Sequence, residues 1–388
     1  MNVMKKFLNV LLILVGAALI VFCGDLVSNK LINVSYYSLD ADDKAAIDEL
    51  CSLTKQFDVR YGSDMVWNED YNLRDYACVI TKRGEFIKGS TYAVNFQCPK
   101  GAFSQKIDMP AEYDDISVYR LAYFTPETFA LADMEKNGFV DFYGKKVYAA
   151  LFDARTVSYN GAGSLEEEYV KATFEDAVDS LDVPQRASGH FEKELDNVAL
   201  MGLEYRILDD MLSAQSKEQL KEYIAEYVIV RDAQDEKYPE FKAVREQTEL
   251  CGGCSQFVFY TLSGMIDHNI TYFNKEEADS INFYSAYYYL CTGRYNSDVE
   301  EFLDKSGDEY VGAALCRIID DNELRRDWES TVGVSGDKIV TPYDVLHKYC
   351  DRSCSKYKDK TLDEIKTIYN YEESLGMARA LLREIGID

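Results

Sequence analysis

Three histidines in 388 residues leave little room for imidazole chemistry, and His190, His268 and His347 are never four positions apart. A helical zinc site needs two imidazoles one turn apart on one face, so this spacing excludes it. The chain also lacks a Gly-x-Ser-x-Gly elbow, a phosphate-binding Walker loop and a dinucleotide fingerprint. Cations are scarce: 42 Lys and Arg stand against 68 Asp and Glu, a formal charge of −26. A surface this acidic repels a phosphate backbone, which excludes nucleic acid as a partner. Only six prolines occur, and no low-complexity linker or internal repeat divides the chain.

What the sequence has in quantity is aromatic bulk, with 30 Tyr and 19 Phe, enough for a substantial core. It also has one long apolar run. Lys5 and Lys6 precede "FLNVLLILVGAALIVFC", seventeen residues from Phe7 to Cys23 with Asn9 as the one strongly polar member. Such a segment targets a chain to a membrane. It reads as an uncleaved anchor, with a signal peptide cut near Ala17 or Ala18 and a lipoprotein lipidated at Cys23 as alternatives. Phe22 spoils the small residue that lipidation expects, and the run continues past both alanines, so the anchor is preferred. Lys5 and Lys6 would stay inside, placing everything after Asp25 outside the cytoplasm. A secreted form is the alternative.

Beyond the segment 1–30, the spacing predicts an α+β domain over 31–157 and a mostly helical domain over 158–388. "LDADDKAAIDELCSLTKQF" opens with acids and carries Ile47, Leu50, Cys51 and Phe57 at helical spacing. "YACVITKRGEFIKGSTYAVNF", "DISVYRLAYF" and "FVDFYGKKVYAALFD" have the β-branched and aromatic content of strands. Ser164 and Glu167 form a capping box, after which Leu165, Tyr169, Phe174, Ala177, Val178 and Leu181 share one helical face. Helical period then continues, with further starts at Thr341-Pro342 and Thr361.

Ten cysteines are present, and without Cys23 an odd nine remain, so no complete disulfide framework follows. "ELCGGCSQFV" places Cys251 and Cys254 three apart in a helical context, where small apolar packing is the plainer reading and a disulfide is geometrically disfavoured. A metal centre joining them to Cys350 and Cys354 of "KYCDRSC" has the right donor count, as an alternative. Tyr284, Tyr287 and Tyr288 in "NFYSAYYYL" read as core at helical spacing.

The order of "MGLEYRILDDM", "VIVRDA", "REQTELCGGCSQFV" and "GAALCRIIDDNELRRDW" resembles bacterial extracytoplasmic zinc metallopeptidase-like proteins of the gluzincin type, over about residues 160–330. The resemblance implies a gluzincin-like helical domain with a His-Glu-x-Phe-His helix and a later helix carrying a glutamate ligand. On "YVKATFEDAV" it places Lys171 and Glu175 at the two histidine positions and Ala172 at the catalytic glutamate. On "ELCGGCSQFV" it matches Glu249, Gly253, Phe257 and Val258 and puts Gly252 where the ligand glutamate is expected. All four functional positions are thus replaced. An ammonium, a methyl and a missing side chain can neither hold zinc nor take a proton from water, so hydrolysis by this route is excluded. Lys171 and Glu175 are spaced for an ion pair in place of the metal, although Lys before Glu is the weaker order, and a solvated face is the alternative. The resemblance therefore implies a degenerate peptidase without a cofactor, acting by binding a peptide, an envelope component or a partner protein. An enzyme with a rebuilt cysteine-based metal or thiol site is the alternative.

Overall fold

The computed structural model describes residues 2–31, 34–61, 71–84, 89–97, 103–154, 164–179, 192–263, 299–322, 324, 333–335 and 338–387. Expectations for His190, His268, Cys98, Cys291, Leu181 and the tyrosines of 284–288 lie outside these residues. The fold is α+β, with an N-terminal apolar helix, one six-stranded mixed sheet and many helices. Two compact units are formed, one from 1–63 with 72–173 and the other from 64–71 with 174–388.

In the first unit, helix α1 (Asn2–Leu31) carries the apolar run, and its Lys6–Leu31 stretch of 26 residues is long and apolar enough to cross a membrane. Helix α2 (Ala41–Tyr61) follows, with Ile47, Leu50, Cys51 and Phe57 all buried, as the helical spacing predicts. Its acidic first turn is clamped to the sheet: Lys82 Nζ lies 2.9 Å from Asp40 and 3.0 Å from Asp42, and Tyr92 donates to Asp43.

The sheet runs in the order β3 (Ser104–Lys106), β4 (Val118–Leu121), β2 (Thr91–Val94), β1 (Cys78–Lys82), β6 (Lys145–Phe152), β5 (Gly138–Phe142). All pairs are antiparallel except β1 with β6, where Cys78 sits opposite Tyr148. Strand β2 is buried along its whole length and β1 along all but its last residue, the mark of inner strands covered on both faces. One face packs Val79, Ala93, Leu121, Phe142 and Val147 with Leu131 from helix α3 (Pro126–Ala132). Helix α3 begins with a Thr125–Thr128 capping box and Pro126 in its first turn.

Helix α4 (Leu165–Asp179) starts where the capping signal places it: the Glu167 N–H donates to Ser164 Oγ at 3.2 Å. The two units divide within α4, between Thr173 and Phe174.

The second unit is built from α5 (Leu195–Leu212), α6 (Lys217–Lys237), α7 (Pro239–Thr248), α8 (Cys254–Ser263), α9 (Gly307–Asp321), α10 (Pro342–Ser353), α11 (Leu362–Ile368) and α12 (Tyr371–Glu384), with a small hairpin of β7 (Gly333–Ser335) and β8 (Lys338–Val340). Thr341 and Thr361 cap α10 and α11 through boxes completed by Asp344 and Glu364. Helices α5 and α6 pack together, α12 lies on α5, and α10 lies on α6 and α9.

Between α7 and α8 the expected continuous helix is interrupted by a π-helical turn, Glu249–Gly253. Two adjacent glycines cost about 1 kcal/mol each in a helix interior, and here they allow close backbone approach. A Cβ on Gly253 would stand 2.6 Å from Gly312 Cα, and one on Gly312 would stand 2.9 Å from the Glu249 carbonyl oxygen. Those neighbours are backbone and cannot swing aside. We therefore expect Gly312→Ala to lower stability by about 1–3 kcal/mol through overpacking. Urea unfolding of the full chain in detergent measures it, and a change under a few tenths of a kcal/mol would show that the helices can separate freely.

Candidate functional site

The interior of the helical unit holds a charge network that the sequence pattern did not single out. Helix α5 contributes Glu204, α6 contributes Arg231 and Asp235, α7 contributes Arg245, the π turn contributes Glu249 and α9 contributes Asp308. Arg231, Arg245, Glu204 and Glu249 have no exposed surface, and Asp308 and Asp235 retain 3% and 7%. Helical spacing sets two of the contacts. Arg231 and Asp235 lie one turn apart at 3.3 Å, and Arg245 and Glu249 one turn apart at 3.6 Å.

The cross-helix contacts tie the bundle together. Arg231 Nη1 lies 2.8 Å from Glu249 Oε1. Arg245 engages Glu204 through both terminal nitrogens, lies 3.2 Å from Asp308, and donates to Gln234 Oε1 at 2.6 Å. Gln234 in turn donates to Asn197 Oδ1 at 2.7 Å. Aromatic faces complete the enclosure: the Arg231 guanidinium lies 4.8 Å from the Tyr343 ring centre and that of Arg245 lies 5.2 Å from Phe241.

Four carboxyls surround two guanidiniums, and Lys242 reaches Asp235 from the surface at 3.8 Å, so full ionisation would still leave a negative excess in the core. Burial pushes Glu249 up to about 7 and Asp308 up to about 6, with Arg231 and Arg245 holding both back from going higher. Burial likewise opposes the charge on Arg231, but Glu249 and Asp235 outweigh it and keep the guanidinium protonated. Inward carboxylates from several helices are the arrangement in which helix bundles hold metal pairs. Here guanidinium groups occupy that role, and among the described residues no group of three or more His, Cys, Asp or Glu has metal-holding geometry.

The positions singled out by sequence fall as follows. Lys171 and Ala172 belong to the first unit, and Glu175 and Gly252 to the second. Lys171 Nζ pairs with Glu167 at 2.9 Å, one turn before it, which is the better order of acid and base along a helix than Lys171 before Glu175. Gly252 has no space for the ligand its position implies. A Cβ there would meet Glu309 Cγ at 2.5 Å and Oε1 at 2.7 Å, so a carboxylate from α9 already fills the place. A zinc ligand set does not fit these residues. Even Gly252→Glu would have to displace Glu309 and set two carboxylates side by side.

The cysteines of the four-cysteine alternative fall in two neighbourhoods. Cys251 and Cys254 are buried thiols, and Cys254 Sγ stands 3.7 Å from Cys316 Sγ on α9. Cys350 instead interacts with Cys354, its neighbour one turn along α10, close to Lys358 and Asp351. The two pairs occupy different neighbourhoods because α8 packs on α9 while the end of α10 lies over the start of α6. Burial and the neighbouring Cys316 push the Cys254 thiol well up, and the bond to Cys354 together with burial does the same for Cys350. Neither is poised as a thiolate. Cys354 is shifted down by the bond from Cys350 against the cost of burial, but it is enclosed at the helix end. His347, the histidine within the described residues, sits on the α10 surface between Asp232 at 3.2 Å and Asp351 at 3.3 Å.

One accessible concavity of this unit lies where the start of α5 meets α12. It encloses about 740 Å³ and is lined by Lys193, Asp196, Leu375, Arg379, Leu382 and Arg383 among others. Lys193 is occupied by Glu300 and Asp304, and Asp196 by Lys237 and Tyr371. Arg379 and Arg383, one turn apart and exposed, make no ion pair among the described residues. No protein-family model, curated protein or solved structure matches this chain.

Proposed function

We propose that this chain is a membrane-tethered, extracytoplasmic protein whose helical unit acts by binding and not by hydrolysis. The observation that carries this reading is the division of labour among its charges. The carboxyls that could serve as acid and base are locked in a closed interior network, whereas the open groove presents two arginines beside leucines. Its volume suits a ligand of a few side chains. A groove with an apolar floor and an unengaged arginine pair fits a peptide or envelope component that combines carboxylates with apolar groups.

The resemblance to gluzincin-type peptidases agrees with this reading insofar as Lys171, Ala172, Glu175 and Gly252 supply no zinc or base. The raised thiols of Cys254 and Cys350 weigh against the rebuilt cysteine enzyme. The tether rests on α1, whose large apolar residues from Phe7 to Val21 are all exposed.

Fluorescence anisotropy with labelled acidic-apolar and basic-apolar peptides tests the proposal on the full chain in detergent. The acidic series should bind and remain uncut, and Arg379→Glu with Arg383→Glu should weaken it by about tenfold per arginine, the worth of one charge-assisted hydrogen bond. Equal binding by the double variant would remove the groove from consideration, and peptide cleavage would overturn the non-hydrolytic reading.

A further inference from the structure

Helix α1 does not simply emerge from the body of the first unit. Along its last third, Phe22, Asp25, Leu26 and Asn29 are wholly or partly covered, and these positions share one helical face. Asp25 Oδ2 accepts the backbone N–H of Phe124 at 3.0 Å, and α1 packs against β3. This fixes the level of the body against the helix. The apolar run ends at Cys23, two residues before Asp25, a rise of about 3 Å along the axis. Phe124 therefore stands at the end of the apolar run and not far above it. Phe22, inside the run, is already partly covered, whereas every large apolar residue from Phe7 to Val21 is exposed.

Around Phe124 lies a contiguous aromatic patch. Tyr123 and Phe124 meet edge to face at 4.7 Å, and the Phe124 and Phe129 rings are 6.1 Å apart. The Phe103 backbone runs beside this segment, its carbonyl accepting the N–H of Ala122, the residue before Tyr123, at 2.8 Å. Phe103 and Phe129 are 44% and 41% exposed, an unusual cost for phenylalanine on an otherwise highly acidic protein. Aromatic side chains at this depth are what membrane proteins place in the headgroup layer, where a ring is half in hydrocarbon and half among polar groups.

We infer that the face of the first unit formed by Phe103, Tyr123, Phe124 and Phe129 is seated in the interfacial layer of the bilayer that α1 crosses. This rests on the reading of α1 as a span. The occupant of the patch is lipid: Phe124 is held beside Asp25, level with the end of the apolar run of α1, whose large apolar residues are exposed up to Val21. The seating would hold the body flush against the membrane instead of swinging on a tether.

The test uses the full chain reconstituted in phosphatidylcholine vesicles brominated at either the 6,7 or the 11,12 acyl positions. Phe129→Trp and, separately, Leu14→Trp are compared with the parent, whose Trp67 and Trp328 give the background. The added emission of Phe129→Trp should be quenched strongly by the shallow bromines and less by the deep ones, while Leu14→Trp shows the reverse order. Quenching of Leu14→Trp alone would overturn the interfacial seating and leave the span intact. No quenching of either would overturn both. Phe103→Trp repeats the measurement at the second exposed phenylalanine, so that local misfolding of one variant does not decide the result.

Discussion

Arg245→Met should destabilise the helical unit by about 3–5 kcal/mol, the range found when one partner of a buried ion pair is removed. Methionine fills most of the volume, so the loss is electrostatic. Glu204 loses a two-pronged partner, Asp308 loses its cation at 3.2 Å, and Gln234 loses the donor to its side-chain oxygen. Arg231 cannot substitute, because it already serves Glu249 and Asp235 and approaches Glu204 only to 4.0 Å. Arg245→Lys should recover little of the loss, since an ammonium cannot reach Glu204 with two parallel donors and Asp308 with a third. Combining Arg245→Met with Glu204→Gln should recover part of it by removing a stranded charge. Hydrogen exchange of the α7 amides, which reports this unit whatever the first unit does, measures the effect. A loss below about 1 kcal/mol would mean that water or a neighbouring carboxyl's proton compensates the vacancy, and the network would not be the keystone of the bundle.

Much of this fold was legible from local chemistry. Ser164, Thr341 and Thr361 announced three helix starts, because a capping hydroxyl and an acid three residues later solve a problem confined to one turn. The strands at Cys78–Lys82 and Lys145–Phe152 were equally plain, yet nothing local says that these two lie side by side and parallel. The site was less legible for the same reason. Glu204 and Arg245 meet across 41 residues, and only their places on apolar faces, Leu200 and Leu208 one turn either side of Glu204 and Phe241 one turn before Arg245, hinted that they point inward. At Gly252 the sequence shows a missing side chain, but not that Glu309 of another helix fills the space. The π turn is the sharpest case. "CGGC" draws attention to its thiols, whereas its structural consequence comes from the glycines, which let the Glu249 turn approach Gly312 and so bring Glu249 to Arg231.

The proton content of this network should make the helical unit more stable in mild acid than at neutral pH, the reverse of ordinary acid lability. Glu249 is raised from its ordinary value of 4.5 to about 7 and Asp308 from 3.8 to about 6. A carboxyl raised on folding gives stability that is fully present below its unfolded value and is lost as pH climbs through its folded one. For Glu249 that window is about pH 4.5–7, and a displacement of this size corresponds to on the order of 3 kcal/mol. Asp308 adds to the lower part of the window, although the two share Arg231 and Arg245 and do not add in full. Among the described residues the groups facing Glu249 and Asp308 are Arg231, Asp235 and Tyr227 on α6, Arg245 on α7, Cys254 on α8, and Glu204 and Tyr205 on α5, none of them a histidine. Asp196, where burial is outweighed by Lys237 and Tyr371, is lowered and acts in the opposite sense once pH falls below its ordinary range. Stability of this unit should therefore peak at about pH 4–5 and decline to a plateau above about pH 7. Glu249→Gln isolates the cause: a neutral amide of the same shape cannot titrate, so the decline through neutrality should shrink to the smaller share of Asp308 at lower pH. Glu49 of the first unit, raised by burial to about 8, is untouched by that substitution and serves as the internal control. Exchange rates of α7 amides in parent and variant from pH 4.5 to 8, corrected for intrinsic rates, separate the two. A parent profile that rises with pH, or one that Glu249→Gln leaves unchanged, would show that the network carries no excess proton and that its carboxyls are all ionised in the core.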